Sequence, residues 1–160
     1  IAIIGMSLDH VGIIFGDYLP IEAVSALYAL GGLTFPIMAY FISEGYRYTS
    51  NLSKYIKRMS IFALAAQIPF QWAFDGFNIK DFKGNIIFTL LLGIIAIHLY
   101  ETMKDRSLYW IVFAGLTILS FFCDWGGIGV PVILVGYLQK EQRKKIILPY
   151  VLIMAVYFLP

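Results

Sequence analysis

The sequence is poor in charge and in cysteine, and each shortage excludes a class of protein. Charged residues make up 14% of the 160 residues, and the net charge is +2. No dense basic run with interleaved aromatic residues occurs, so we expect no nucleic-acid partner. Cys123 is the sole cysteine, which excludes a disulfide within the chain and a cysteine-based metal cluster. The His-Glu-x-x-His signature is absent too, and no metal site is predicted.

Apolar residues are present in excess. They reach 60% of the chain, with a mean hydropathy of +0.79, whereas soluble domains have about 45–50%. So few charged residues could not cover that much apolar surface in a soluble globule of this size. An ordinary cytosolic enzyme and a disordered chain are therefore excluded, and we expect lipid to surround most of the surface.

Apolar runs separated by short polar stretches predict an all-α fold. We expect a polytopic membrane helix bundle of about seven transmembrane or partial transmembrane helices, in one integral membrane domain over residues 1–160. Because the sequence starts with neither Met nor a polar flank, we expect it to begin inside its first helix, with a truncated N-terminus and no signal peptide. Residues 21–30 are either the outer turn of the second span or a short interfacial helix. The predicted spans are 1–15, 33–46, 55–74, 86–100, 108–122, 127–138 and 146–160.

The basic residues predict how the chain is oriented. Lys and Arg favour the cytoplasmic side of a membrane protein. Alternate connections, near residues 47–58, 104–106 and 140–145, hold ten of the twelve basic residues. We therefore expect a multi-pass protein of the inner membrane, with a cytoplasmic N-terminus and residue 160 outside.

Polar side chains from four segments are expected at one depth, in the outer half of the membrane. Ionisable groups inside a span are costly and are functional candidates. His10 can take and return a proton near neutral pH, and Asp9 can orient it. The alternative is a satisfied polar pair between helices. The residues of this outer group are Asp9, His10, Gln67, Gln71, Asn85, Thr89 and Asp124.

The remaining outer residues keep structural alternatives. Gln67 and Gln71 flank a proline, so they either satisfy the broken helix or position a substrate or an oxyanion. Asn85 is either a helix N-cap or a functional residue. Thr89 either bonds back to its own helix or is functional. Asp124 belongs to a tight turn by composition, and its carboxylate could also bind an amine.

A second polar cluster is predicted at the inner face. Glu44 shares a helix stripe with Tyr40 and Tyr48, and it either pairs with the nearby arginine or contacts a ligand. Cations beside it could bind an anionic phosphate group, although topology alone also explains them. His98, with Glu101 close by, is expected at the interface. The cations are Arg47, Lys54, Lys57 and Arg58.

An ordered set of motifs resembles the TraX family over about residues 5–140. One departure is visible: an arginine that precedes the Phe-Pro element in the family is replaced by Gly31-Gly32-Leu33, so a contact made by that arginine is not expected here. The motifs are LDHVG at 8–12, TFPIMAYF at 34–41, EGYRYT at 44–49, YIKR at 55–58, QIPF at 67–70, NIIFTL at 85–90 and DWG at 124–126.

The resemblance implies an integral membrane acetylase, similar to transmembrane acyltransferases, with acetyl-CoA as the donor. It implies that His10 is the catalytic base and Asp9 its orienting acid. Asn85, Thr89 or Gln67 would donate to the thioester oxygen, and the inner cations would bind the CoA phosphates. The acceptor would be an amine or hydroxyl reached from the outer side, on a pilin, sugar, peptide or lipid. The residues expected to bind it are Gln67, Gln71, Asp124 and Glu44.

Two other functions remain open from the sequence. A small proton-coupled secondary transporter would use an intramembrane Asp-His pair as a proton relay, although no inverted repeat is visible. A structural partner of a secretion or pilus system would tolerate neutral replacement of both Asp9 and His10. All three functions place the chain among membrane lipids.

Overall fold

The computed structural model describes residues 2–32, 34–75 and 82–139, and these residues form helices joined by short turns. No β-strand occurs in these ranges; Gly84 and Cys123 make an isolated bridge. The predicted all-α class is confirmed. The helices are α1 (Ala2–Phe15), α2 (Ile21–Gly32), α3 (Thr34–Tyr48), α4 (Leu52–Asp75), α5 (Ile86–Thr102), α6 (Arg106–Ser120) and α7 (Gly129–Leu138).

The predicted number of seven spans is not confirmed. Helices α2 and α3 form one stretch, Ile21–Tyr48, so the seven labelled segments make six separate α-helices in the described ranges. By length and average composition, this stretch of 28 residues is the one helix in those ranges that meets the requirement for crossing a membrane, which agrees with a membrane protein. Residues 21–30 are thus part of a long helix, and the predicted span 146–160 lies outside the described residues.

Two compact units are present, with Ile1–Phe41 in the first and Ile42–Leu138 in the second. The first is built on the pairing of α1 with α2. Gly5, Asp9 and Gly12 recur at helical spacing and share one face of α1. A Cβ on Gly12 would lie 3.2 Å from the ring of Tyr28, and a Cβ on Gly31 would overlap the Asp9 carboxyl group. The two helices approach closely because these glycines have no side chain.

Helix α5 is the centre of the second unit. It packs against α4, α6 and α7, and its Leu90, Ile94 and Ile97 are buried. Gly93 allows Ile133 of α7 to come close, since a Cβ at this glycine would lie 2.8 Å from Cγ2 of that isoleucine. The hydroxyl of Ser43 at the end of α3 donates to the Ile133 carbonyl at 3.2 Å. The packing of this core sets the positions of the helix ends, where most of the predicted polar residues lie.

Candidate functional site

His10 is oriented by its own helix. Its Nδ1 lies 2.6 Å from the carbonyl oxygen of Met6, one turn earlier in α1. A carbonyl oxygen accepts and never donates, so Nδ1 carries the proton and donates it to this bond. In the neutral imidazole the lone pair is then on Nε2, the nitrogen that can act as a base. His10 is half-buried.

Asp9 faces helix α2. Its carboxyl group packs over the backbone of Gly31 so closely that any side chain at that glycine would overlap it. Successive residues of an α-helix point about 100° apart, so His10 projects from a different side of α1. The helix therefore presents a carboxylate toward α2 and an imidazole on a neighbouring face, both in the first unit.

The side chain of Gln67 connects α4 to the segment that precedes α5. Its Nε2 donates to the Lys83 carbonyl at 2.7 Å, and its Oε1 accepts the backbone N–H of Asn85 at 2.9 Å. The same Nε2 also lies 3.3 Å from Oε1 of Gln71, which is buried. The Gln67 amide thus binds the backbone on both sides of Gly84.

Asn85 is a helix N-cap that also binds the neighbouring helix. Its Oδ1 accepts the N–H of Ile87 at 3.0 Å, as the N-cap alternative predicted. Its Nδ2 donates to the Ala63 carbonyl of α4 at 2.8 Å. Thr89, one turn into α5, is fully buried, and its hydroxyl donates to the Asp124 carbonyl. The alternative that Thr89 bonds back to its own helix is therefore wrong.

Asp124 belongs to the tight turn that its sequence predicted. Its Oδ1 accepts the Trp125 N–H at 3.1 Å and lies 3.4 Å from Nζ of Lys83. Trp125 and Gly126 have φ angles of 66° and 47°. A left-handed conformation is unfavourable for tryptophan. The Gly126 N–H donates to the Cys123 carbonyl at 3.2 Å and the Ser120 hydroxyl donates to the Gly126 carbonyl at 2.8 Å, and these bonds hold the turn. Burial, and then the Asp124 charge, raise the pKa of the Cys123 thiol, so this cysteine is a poor nucleophile.

Five of the predicted outer residues therefore meet in one network of the second unit, here called the Gln67 network. The donors of Gln67, Asn85 and Thr89 are engaged in bonds that join α4, α5 and the Asp124 turn. Their roles with substrate stay predictions, and such roles would require these bonds to open. The members of the network are Gln67, Gln71, Asn85, Thr89 and Asp124.

Arg47, predicted to bind phosphate, is engaged within the protein. Its Nη1 lies 2.5 Å from Oε1 of Glu44, and its Nη2 donates to the Tyr137 carbonyl. The guanidinium also lies over the Tyr137 ring, 4.8 Å from its centroid. Arg47 thus ties the end of α3 to the end of α7, and Glu44 neutralises it. The other predicted phosphate ligands, Lys54, Lys57 and Arg58, are exposed on α4.

Two tyrosines that sequence reasoning did not select extend this inner group. The Tyr46 hydroxyl and Nδ1 of His98 are 3.2 Å apart, and the Tyr137 hydroxyl donates to Oε1 of Glu101 at 3.1 Å. The two tyrosine rings meet edge to face at 5.6 Å. The position of each tyrosine in the last turns of a helix could have indicated these two residues, but their partners are distant in sequence.

Within the described ranges, no group of three or more His, Cys, Asp or Glu residues could hold a metal ion.

A family model and a curated relative match nearly all of this chain. The family model described as TraX protein matches residues 1–160. A curated relative from Dichelobacter nodosus, described as probable fimbrial assembly protein FimC, serogroup H1, is 32% identical over 162 residues. The match covers 95% of this chain, which spans 65% of the length of that relative. No solved structure matches. From the family match we conclude that the chain belongs to the TraX family.

Proposed function

We propose that this chain is a multi-pass inner-membrane acetyltransferase that moves an acetyl group from acetyl-CoA to an amine or hydroxyl reached from the outer side. The family membership and the relative described as a fimbrial assembly protein support a pilin-related function. The amino group of a pilin N-terminus is accordingly the first acceptor to test.

The distribution of polar and apolar side chains supports placement in a membrane. In α6, Ile111 and Ile118 are 69% and 63% exposed. Gln71, Asn85 and Thr89 are buried instead. Large apolar side chains on the outside and polar side chains inside are the reverse of a soluble domain. Lipid contact removes the cost of exposing these isoleucines, whereas hydrogen bonds satisfy the buried polar groups.

The bond from Nδ1 of His10 to the Met6 carbonyl is the observation that carries the proposed chemistry. It selects the tautomer with the lone pair on Nε2, as a general base requires. When the acceptor nitrogen or oxygen attacks the thioester carbon, Nε2 would take the proton that the acceptor loses. The carbon–sulfur bond then breaks, and the CoA thiolate leaves and receives that proton. Asp9, which packs against Gly31 of α2, would fix the position of α1 and so orient the imidazole.

The donor would be bound on the cytoplasmic side. Arg47 is one of the cations expected to bind the CoA phosphates. It is paired with Glu44, and it donates a hydrogen bond to the Tyr137 carbonyl. Glu44 already neutralises this guanidinium, so Arg47 offers an anionic ligand less net charge than an unpaired arginine would. Acetyl-CoA itself remains the proposed co-substrate on the strength of the family membership.

Substitution of each of the two histidines tests the proposal. Purified protein in detergent is given acetyl-CoA and a peptide with a free N-terminal amine, and acetyl-peptide is measured by mass spectrometry. His10→Asn keeps an N–H donor near the Nδ1 position but removes Nε2, so we expect a loss of about 10²–10⁴-fold in rate. His98→Asn is the matched control and should retain activity.

Three results would contradict the proposal. They are an active His10→Asn variant, wild-type protein that neither binds nor turns over acetyl-CoA, and proton-linked uptake by proteoliposomes in the absence of acetyl transfer. The last result would favour the transporter. The comparison requires that the two histidine variants have the same helix content, as measured by circular dichroism.

A further inference from the structure

The exposed face of helix α4 changes its chemistry along its length. It begins with three exposed cations, Lys54, Lys57 and Arg58. No ionisable residue follows until Asp75. Between these points the helix exposes large apolar side chains, each with 56–70% of its surface accessible. They are Ile61, Phe62, Leu64, Ile68 and Trp72.

The opposite face of α4 packs against the protein and holds the polar side chains of this part of the helix. Ala63 is fully buried and Gln71 nearly so, and Gln67 binds the segment before α5. Because α4 contains glutamines and cations, its average composition is not that of a membrane span. However, the glutamines face the protein interior, so the surface left for the surroundings is uniformly apolar over several turns. A hydropathy average cannot separate these two faces.

The length of this face matches a bilayer. Lys54 and Trp72 are 18 residues apart, which is five helical turns, so they lie on one line along the helix at roughly 27 Å separation. The hydrocarbon core of a bilayer is about 30 Å thick. Cations favour the cytoplasmic headgroup layer and tryptophan favours the membrane–water interface. The residues at both ends of the line from Lys54 to Trp72 therefore suit the headgroup layers, and the residues between them suit the hydrocarbon core.

We propose that Lys54, Lys57 and Arg58 form a binding site for the phosphate of an anionic phospholipid headgroup in the cytoplasmic leaflet. Residues at this spacing lie within about 100° of one helix face, so one headgroup can contact all three. Arg58 supplies a bidentate contact and the two lysines supply point charges. This inference rests on the membrane placement proposed above and not on acetyl transfer.

A lipid suits this surface better than the phosphates of CoA do. The cations are exposed on the outer surface of α4, and the exposed apolar side chains of the same helix continue along the direction of an acyl chain. Nucleotide-like ligands bind in concave sites that enclose most of their surface. The same three residues would therefore bind a membrane component, leaving the donor to another surface.

Lipid retention tests the proposal. Purified protein is exchanged into mixed micelles with phosphatidylglycerol or phosphatidylcholine, and retained lipid is measured by native mass spectrometry. Wild-type protein should retain phosphatidylglycerol selectively, and retention should fall about fivefold for each cation removed. The series is Lys54→Gln, then with Lys57→Gln, then with Arg58→Gln. Lys104→Gln is the matched control, because Lys104 is an exposed cation outside α4. A Lys54→Arg, Lys57→Arg variant keeps the charge and should keep the lipid.

The outcomes separate the two sources of phosphate. Displacement of phosphatidylglycerol by CoA or by 3′,5′-adenosine diphosphate would overturn the proposal and assign the cations to the donor. Equal retention of both lipids, or unchanged retention in the triple variant, would also overturn it. The assay contains no acetyl transfer step, so an inactive wild-type protein would contradict the acetyltransferase and leave this result standing.

Discussion

The side chain of Asn85 stabilises both the start of α5 and the contact of α5 with α4. It caps α5 through Oδ1 and binds α4 through Nδ2, and it is buried. A lost N-cap costs about 1 kcal/mol, and a buried partner left without its hydrogen bond adds about 1–3 kcal/mol. The Ala63 carbonyl would be such a partner after removal of the asparagine side chain.

Asn85→Ala should therefore lower the free energy of unfolding by about 2–4 kcal/mol. Asn51→Ala is the matched control. The Asn51 side chain accepts the backbone N–H of Lys54 at 2.9 Å but is exposed and makes no bond to another helix in the described part of the chain, so only about 1 kcal/mol is expected. Denaturant unfolding in detergent measures both. Equal losses would show that the Asn85–Ala63 bond contributes nothing.

The residues of the Gln67 network also show what the sequence could and could not predict. The cap at Asn85 is local, and its residue type and position before an apolar run identify it. The turn at Asp124 is local too, because its glycines follow directly. The partner of Thr89 lies 35 residues away, and the bonds of Gln67 reach a segment 16 residues later. Such pairings depend on how helices pack, which residue spacing does not encode.

At the scale of helices, the Gly31-Gly32 pair left two alternatives open. Two glycines weaken a helix in water, so residues 21–30 could be either the outer turn of the second span or a separate interfacial helix. The helix runs from Ile21 to Tyr48. Gly31 is where Asp9 of α1 packs against the α2 backbone, and small residues are favoured where two helices approach closely in a membrane. Packing thus compensates for the low helix propensity.

Gly31→Ala should consequently destabilise the pairing of α1 with α2. The added methyl group would overlap the Asp9 carboxyl group, and overpacking typically costs about 1–3 kcal/mol. Gly115→Ala in α6 is the opposite case, because a Cβ there meets no atom of the described residues within 4 Å. Higher helix propensity should then stabilise that variant by up to about 1 kcal/mol. The midpoints of thermal unfolding of the two variants should move in opposite directions; an unchanged or raised midpoint for Gly31→Ala would show that Gly31 has room for a side chain.

At the scale of the whole molecule, composition predicted the all-helical class because an apolar chain in lipid must satisfy its backbone internally. It could not predict which helices face lipid. α4 fails a hydropathy criterion that Ile21–Tyr48 passes, yet it exposes Phe62 and Trp72 and buries Gln71. Orientation around the helix axis, rather than average composition, distinguishes a lipid-facing helix with a polar inner face from a helix in contact with water.

Crossing of the membrane by α4 and α5 can be tested with three exposed lysines. Lys54 lies in the first turn of α4, Lys83 lies between the two helices, and Lys104 follows α5. If each helix crosses, the first and last share the cytoplasmic side, where the basic connections place them. Lys54→Cys and Lys104→Cys should then react with a membrane-impermeant maleimide only after cells are permeabilised, whereas Lys83→Cys should react in intact spheroplasts. A Cys123→Ser background removes the native thiol. Labelling of Lys54→Cys and Lys83→Cys from the same side would contradict the crossing of α4, and with it the lipid site proposed at its basic end.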